Sequence, residues 1–563
     1  MDMVQSGLPG FAKIRHDLSG SGPLRSKLVA ADLIVANAQI RTLDINRPAA
    51  SAIAITGGRI SAIGDYAAVR LEAGPAAESI DGRGMVIVPG LTDSHFHPFW
   101  GAEATQGVDL TRALTLDDLR ALLRTERARV GPDEWVIGWG LTFEMFQRTG
   151  IRGDTFANAV DGGPAYLGFF DGHTAVVSLA AIALAGVTGR ETFAGFATVV
   201  IDEHGIPTGE LREDGAMRLV RNVIPSATAE TKYGWYLDAM TKWNAVGLTN
   251  LHAMDGSTES YDLLRLMEER GDLSIRMVVP LWQQPEFSLD SMREQLPLRD
   301  EKGALWRGGV AKFFIDGVVE SGTAWLIEPD TRGMSTEPFW PDPAKYQAAV
   351  RIFAEAGFQC ATHAVGDRAV RCALDAYERS GAAPGVRHRI EHIEILADAD
   401  LPRFAQLDVT ASMQPLHMNA YDPDGSDEWS LRAGPARRKQ AFRTRDLRDS
   451  GATLALGSDW MVATYDPRIG MAWARSRRPA GAAGRGLING DQALSGLEAL
   501  EGYTTEAAKA VSEEHLSGRI MPGYRADLTA FANDPVDCDP DALVDLPVLL
   551  TVVNGGIVHQ AGS

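Results

Sequence analysis

Eight short apolar runs, several leading into stretches of helical character, constrain the fold of this chain more than any other feature. They are MVIVPGLTDSH, GLTNLHAM, SIRMVVPLW, GVAKFFID, FQCATH, RHRIEH, VTASMQP and TLALGSD. FQCATH runs into GDRAVRCALDAYERSG, a helical pattern closed by glycine, and RRKQAFRTRDLRDSG precedes TLALGSD. Repeated βα units imply a parallel sheet with helices outside it, and eight strands close such a sheet into a barrel. The rival is an open doubly wound sheet. It lacks the glycine-rich phosphate loop expected after its first strand. EWVIGWGL and AYLGFFDGH fall between the first two runs and are assigned to a long insertion over about residues 100–235.

The two ends of the chain have a different pattern. Over 29–86, β-branched residues alternate with polar ones between Gly-Gly and Asp-Gly turns, and ADLTAFAND and LLTVVNGGIVHQ return to it near the C-terminus. The expected class is α/β, a (βα)8 TIM-type barrel over 87–514 with a small β-sandwich from 29–86 and 515–563. Residues 1–28 are expected to form a loose arm. They show no signal-peptide pattern, and no apolar run approaches the roughly 18 residues of a membrane span.

The net charge of −20 argues against nucleic acid and anionic membranes as partners. Cys360, Cys372 and Cys538 are too scattered for a disulfide framework or a cysteine zinc site. The expectation is a cytoplasmic enzyme with a small-molecule substrate.

The 12 histidines are few enough for their placement to inform. His95 and His97 sit at i and i+2 where the first run ends, on one face of a strand, which suits a metal. His363 ends FQCATH, His392 ends RHRIEH and Asp459 ends TLALGSD. A barrel gathers such strand ends at one site. Singly, His363 could cap a helix, His392 could be a core histidine and Asp459 an N-cap. Jointly, that much polarity at strand ends calls for a metal or a full hydrogen-bond network.

Lys312 lies inside GVAKFFIDG, where an amine is costly unless paired or neutral. Asp316 or Glu320 could pair with it. Alternatively, burial lowers its pKa and the neutral amine adds carbon dioxide, giving a carbamate that bridges two cations. Trp100, Trp282 and Trp460 follow strand ends and would line an apolar pocket or pack. His417 follows the seventh run and would face substrate. His252 would be a supporting or packing residue.

VPGLTDSHFHPF, DGHTAVVS, GIPTGELRED, GLTNLHAMD, VAKFFIDGVVESGTA, THAVGDRAV, RHRIEHIEI, ASMQPLH, LALGSDW and GRIMPGYRADL occur in this order. Together they resemble the amidohydrolase superfamily, in particular the family 3 group that includes N-substituted formamide deformylase-like enzymes. The resemblance spans about 29–558. It implies that His95 and His97 hold a first ion, that carbamylated Lys312 bridges, and that His363 and His392 hold a second. Asp459 would bind the first ion and move the proton, and His173 would stand near the substrate. Two zinc ions are the expected cofactors, with manganese, iron or cobalt able to use the same ligands. The implied reaction is hydrolysis of a carbon–nitrogen bond, and the implied assembly is a homodimer. Ester or lactone hydrolysis, deamination or isomerisation could use the same site. A non-catalytic scaffold is the remaining alternative. Two departures stand out. GVVESGTA replaces the family's GSLGSRTA, so Glu320 either selects a cationic or hydrogen-bond-donating substrate or pairs with Arg332 or another surface base. Ser178 stands where the family motif has Asn.

Overall fold

The computed structural model describes residues 33–73, 78–132, 134–170, 172–193, 197–381 and 383–562. The expected arm over 1–28 lies outside them. All eight apolar runs contribute strands to one parallel sheet: β1 (Leu91–Phe96), β2 (Leu248–Ala253), β3 (Arg276–Trp282), β4 (Trp306–Phe314), β5 (Gln359–Ala364), β6 (Arg389–His392), β7 (Thr410–Met413) and β8 (Leu454–Leu456). Each strand pairs with the next in chain order. Helices such as Pro343–Glu355 and Asp367–Glu378 connect them, each burying its apolar side. The result is the TIM-type barrel.

The seam between β8 and β1 is closed by the loop after β8. The Asp459 amide donates to the His95 carbonyl (2.8 Å) and the His97 amide to the Trp460 carbonyl (2.9 Å). Asp93 Oδ1 accepts from the amides of His95 (3.1 Å) and Ser458 (3.0 Å). This approach leaves no room for a side chain at Gly457, whose added Cβ would stand 2.5 Å from the His95 nitrogen. Gly457→Ala is therefore expected to destabilise the fold by about 1–3 kcal/mol, the usual range for overpacking. A chemical-denaturation midpoint equal to wild type would contradict this.

The first apolar run divides at Gly90. Its front half, Val86–Pro89, joins a different sheet, and only Leu91–Phe96 enters the barrel. That other sheet has six strands, in the order Gly556–Gln560, Val548–Val553, Leu528–Phe531, Val86–Pro89, Gln39–Arg41 and Ala49–Ala50. Both chain ends thus build it, with Val86–Pro89 antiparallel to Leu528–Phe531. A four-stranded sheet, in the order Arg59–Gly64, Ala52–Thr56, Leu33–Ala36 and Glu78–Asp81, faces it. Leu33, Val35, Ile53 and Ile55 from one sheet and Ile40, Ile87, Leu528 and Leu550 from the other share one buried cluster. That cluster makes the pair a β-sandwich.

Ion pairs tie the sandwich to the starts of the barrel strands. Arg276 meets Asp527 at 3.0 Å, and Glu513 takes Arg307 at 2.6 Å together with Arg525. Burial alone would raise the Glu513 carboxyl, but Arg307 and Arg525 hold it down at about 2 against an ordinary 4.5. A depressed folded-state pKa gives stability that is full above pH ~4.5 and lost as pH falls toward 2. The loss amounts to about 3 kcal/mol at 1.36 kcal/mol per unit. Glu513→Gln should be less stable at pH 7 and show a flatter decline between pH 4.5 and 2. Parallel stability–pH curves would refute that role.

Pro98–Tyr236, with Met461–Ala463, form a separate compact unit among the described residues. Its six-stranded sheet runs Thr198–Ile201, Pro207–Arg212, Thr174–Val177, Ala165–Phe169, Val136–Leu141 and Val108–Asp109. EWVIGWGL and AYLGFFDGH supply two of these strands. Ser178 caps the helix Leu179–Ala185, its hydroxyl accepting from the Ala181 amide at 3.2 Å, so the departure from Asn still fills a capping role.

Candidate metal centre

The barrel brings polar ends of different strands to one place. His95 lies near the end of β1 and His97 follows it, His363 lies in β5, His392 closes β6, and Asp459 follows β8. Asp459 Oδ1 lies 3.3 Å from His95 Nε2 and 3.0 Å from His97 Nε2. Its other oxygen lies 3.5 Å from His417 Nε2 and 3.9 Å from His392 Nδ1. Two groups result, His95–His97–Asp459 and His392–His417–Asp459, each with ligand atoms within 4.8 Å of one another. His363 adjoins the second group without belonging to it. Its ring lies 4.3 Å from that of His392, stacks on Phe314 at 3.8 Å, and donates from Nε2 to the Gly317 carbonyl at 3.2 Å. Nδ1 is the atom it can offer to an ion.

Two of the candidate ligands carry backbone strain. His392 and Asp459 have φ of 74° and 61°, in the left-handed region that non-glycine residues rarely adopt. Strain of this kind gathers where side chains must be aimed rather than merely packed.

Electrostatics put His95, His363, His392 and Asp459 in metal-binding protonation states, whereas His417 is held toward its charged form. Burial pushes His95 down, and pushes His363 and His392 well below the ordinary imidazole value, so their lone pairs are available. Burial would raise Asp459, but the imidazoles of His95, His97 and His392 reverse this and hold it well below the ordinary value. Burial lowers His417, and Glu394 beside it more than offsets that. Burial brings Lys312 down to about 8, with Glu391 and Asp459 opposing a larger fall.

Neither carboxylate considered as a partner for Lys312 serves it. Asp316 accepts the amides of Trp325 (2.8 Å), Val365 (3.0 Å) and Gly366 (2.8 Å). Glu320 accepts the Tyr421 hydroxyl at 3.2 Å. Asp459 Oδ1 and His417 Nε2 are buried without a well-directed hydrogen bond. An orphaned carboxylate oxygen beside the His95 and His392 imidazoles, whose lone pairs burial leaves available, is what a divalent cation would satisfy, so the donor set fits one.

The pairing of Glu320 with Arg332 is corrected. Arg332 binds Glu428 at 2.6 Å instead. Glu320 and Glu394 both take the Tyr421 hydroxyl, at 3.2 and 3.3 Å, and Glu394 also accepts from Trp429 Nε1 at 2.8 Å. Burial and the neighbouring Glu394 charge raise Glu320 to about 8.

Trp282 stacks with Phe314 at 6.3 Å, extending the stack on His363. Trp460 is committed to packing, against Phe96 (5.1 Å), Trp243 (5.3 Å) and Tyr465 (5.8 Å). Within its own unit, Trp100 covers Gly172, where a Cβ would meet its ring at 2.6 Å. His173 Nδ1 lies 2.9 Å from Glu213 Oε2, and the Glu213 amide donates to the His173 carbonyl at 2.7 Å.

Glu391, Glu394, Tyr421 and Glu213 escaped the sequence reading. Arg389 and Glu391 could have been found, since alternate residues of a strand share a face. A cavity of about 100 Å³ lies at the opposite end of the barrel, lined by Thr92, Asn250, Arg276 and Trp306 among others. Its arginines are occupied by the ion pairs to the sandwich.

Comparison with known proteins agrees with this layout. A family model described as the amidohydrolase family matches residues 78–559. The N-substituted formamide deformylase of Arthrobacter pascens is 28% identical over 94% of this chain and 98% of its own length. Protein LONG AFTER FAR-RED 3 of Arabidopsis thaliana is 29% identical over 94% and 91%. Among solved structures, an uncharacterized metal-dependent hydrolase from Pyrococcus furiosus superimposes with a TM-score of 0.70 at 25% identity, over 90% of this chain and 100% of the other.

Proposed function

Because the chain belongs to the amidohydrolase family, we propose that it is a metal-dependent hydrolase of a carbon–nitrogen bond, an amide or formamide, in a small molecule. The observation that carries this reading is the pair of donor groups sharing Asp459 at the ends of the barrel strands. His95, His97 and Asp459 would hold one divalent ion. His392, with His363 or His417, and a carbamate on Lys312 would hold a second. A neutral Lys312 amine forms that carbamate by adding to carbon dioxide with loss of one proton. Zinc suits imidazole and carboxylate donors. Such ions supply Lewis acidity and lower the pKa of a bound water from about 16 toward roughly 7.

The chain's own residues then handle substrate and protons. Asp459, held ionised by its imidazole neighbours, accepts the proton of the attacking water at a carboxylate oxygen. It returns that proton to the leaving nitrogen, acting as base and then acid. Trp282 and Phe314 offer an apolar wall for the substrate body.

The test is turnover by zinc- or manganese-loaded protein on a panel of N-substituted formamides, N-acyl amino acids, ureas, esters and lactones. Cleavage of amide-type substrates is expected. Turnover confined to esters and lactones, or none on the whole panel, would overturn the assignment of the bond.

A further inference from the structure

We propose that Arg389 and Glu391 are positioning residues that set the tautomer of His95 and so decide which of its nitrogens meets the ion. This rests on the metal centre read above. Both residues project inward from β6 and are buried, 1% and 0% exposed. Glu391 takes Arg389 Nε at 2.5 Å through Oε1 and Nη2 at 3.0 Å through Oε2. Oε2 makes a further contact, to His95 Nδ1 at 2.8 Å.

The arginine is anchored from three other strands. Nη1 donates to His252 Nδ1 on β2 at 3.0 Å, and Nη2 donates to Ser412 Oγ on β7 at 2.7 Å and to the Ser94 carbonyl on β1. A carboxylate gripped this way by a guanidinium stays ionised, and an ionised carboxylate can only accept. The proton of His95 is therefore on Nδ1. Nε2 keeps its lone pair and faces Asp459 Oδ1 at 3.3 Å, where the first ion would sit. A plain structural ion pair would need only the two contacts between Arg389 and Glu391. The third contact serves the imidazole, as an outer carboxylate commonly does for a metal-bound histidine. His252 belongs to the same chain of bonds as an acceptor, which explains a buried histidine outside both donor groups.

Three proteins separate positioning from simple stability. In Glu391→Gln, Arg389 claims the one remaining oxygen, so the amide NH2 faces His95 and favours the opposite tautomer. In Arg389→Met/Glu391→Met, the buried pair is replaced by apolar groups, a change that often costs little stability. Zinc affinity, measured by chelator competition, should fall roughly 10–100-fold in both variants relative to wild type. In the double variant His252 Nδ1 and the Ser94 carbonyl lose their donor, so it should fold but melt below wild type. Nitrogen-15 spectra of histidine-labelled, metal-free wild type should show His95, assigned through His95→Gln, protonated at Nδ1, and Glu391→Gln should move that proton.

Wild-type zinc affinity in both variants, whatever their melting temperatures, would overturn the proposal. So would a metal-free wild type with the His95 proton on Nε2. If wild type takes up neither zinc nor manganese, the metal reading fails on its own. The tautomer in the metal-free protein still decides the role of Glu391.

Discussion

Asp459→Asn should lower kcat by roughly 10²–10⁴-fold, the range for loss of a general acid–base group, while the barrel remains folded. Asn is nearly isosteric with Asp, and the backbone bond from residue 459 to the His95 carbonyl is kept. What disappears is the negative charge between His95, His97, His392 and His417. The imidazoles of His95, His97 and His392 hold the Asp459 carboxyl well below its ordinary value, so it is ionised and able to take a proton throughout the neutral range. An amide oxygen cannot accept and return that proton. It is also a weaker ligand, so metal content should fall only in part. Steady-state kinetics on the best panel substrate, with metal content measured on the same samples, separates the two effects. Near-normal turnover in a fully loaded variant would remove Asp459 from proton transfer.

Lys312→Ala should reduce bound metal from about two ions per chain to one or fewer, with loss of most turnover. Lys312 is 1% exposed, and burial brings its pKa down to about 8, so a fraction of the amine is neutral and nucleophilic near pH 7. Reconstitution of wild type with zinc should accordingly improve with bicarbonate and with rising pH, because carbamate formation needs both carbon dioxide and the neutral amine. The alanine variant should ignore bicarbonate. Equal metal content in the two proteins, measured by elemental mass analysis, would return Lys312 to a structural or substrate-facing role.

The two experiments fail differently. Asp459→Asn tests the chemistry at an assembled site, whereas Lys312→Ala tests assembly. A chain that binds one ion in both proteins and still loses turnover in Asp459→Asn would be a mononuclear hydrolase, with Lys312 outside the ligand set.

Much of this protein was legible in its sequence. Several of the apolar runs end on a histidine or an aspartate, and a parallel barrel places all such termini at one end. Position within the run was therefore enough to bring His95, His97, His392 and Asp459 together before any contact was known. The split at Gly90 was not legible, because both halves of MVIVPGLTDSH read as strand and only their partners distinguish sandwich from barrel.

The tertiary structure alone decided the pairings. Glu320 and Tyr421 are 101 residues apart, as are the loops that carry them. Glu391 and His95 are 296 apart. His417 reaches Asp459 from the loop after β7, while His363 turns toward Gly317. Local periodicity fixes which face of a strand a residue occupies. Register between strands, barrel closure and loop path fix what it meets there, and these depend on long-range contacts that no single segment encodes.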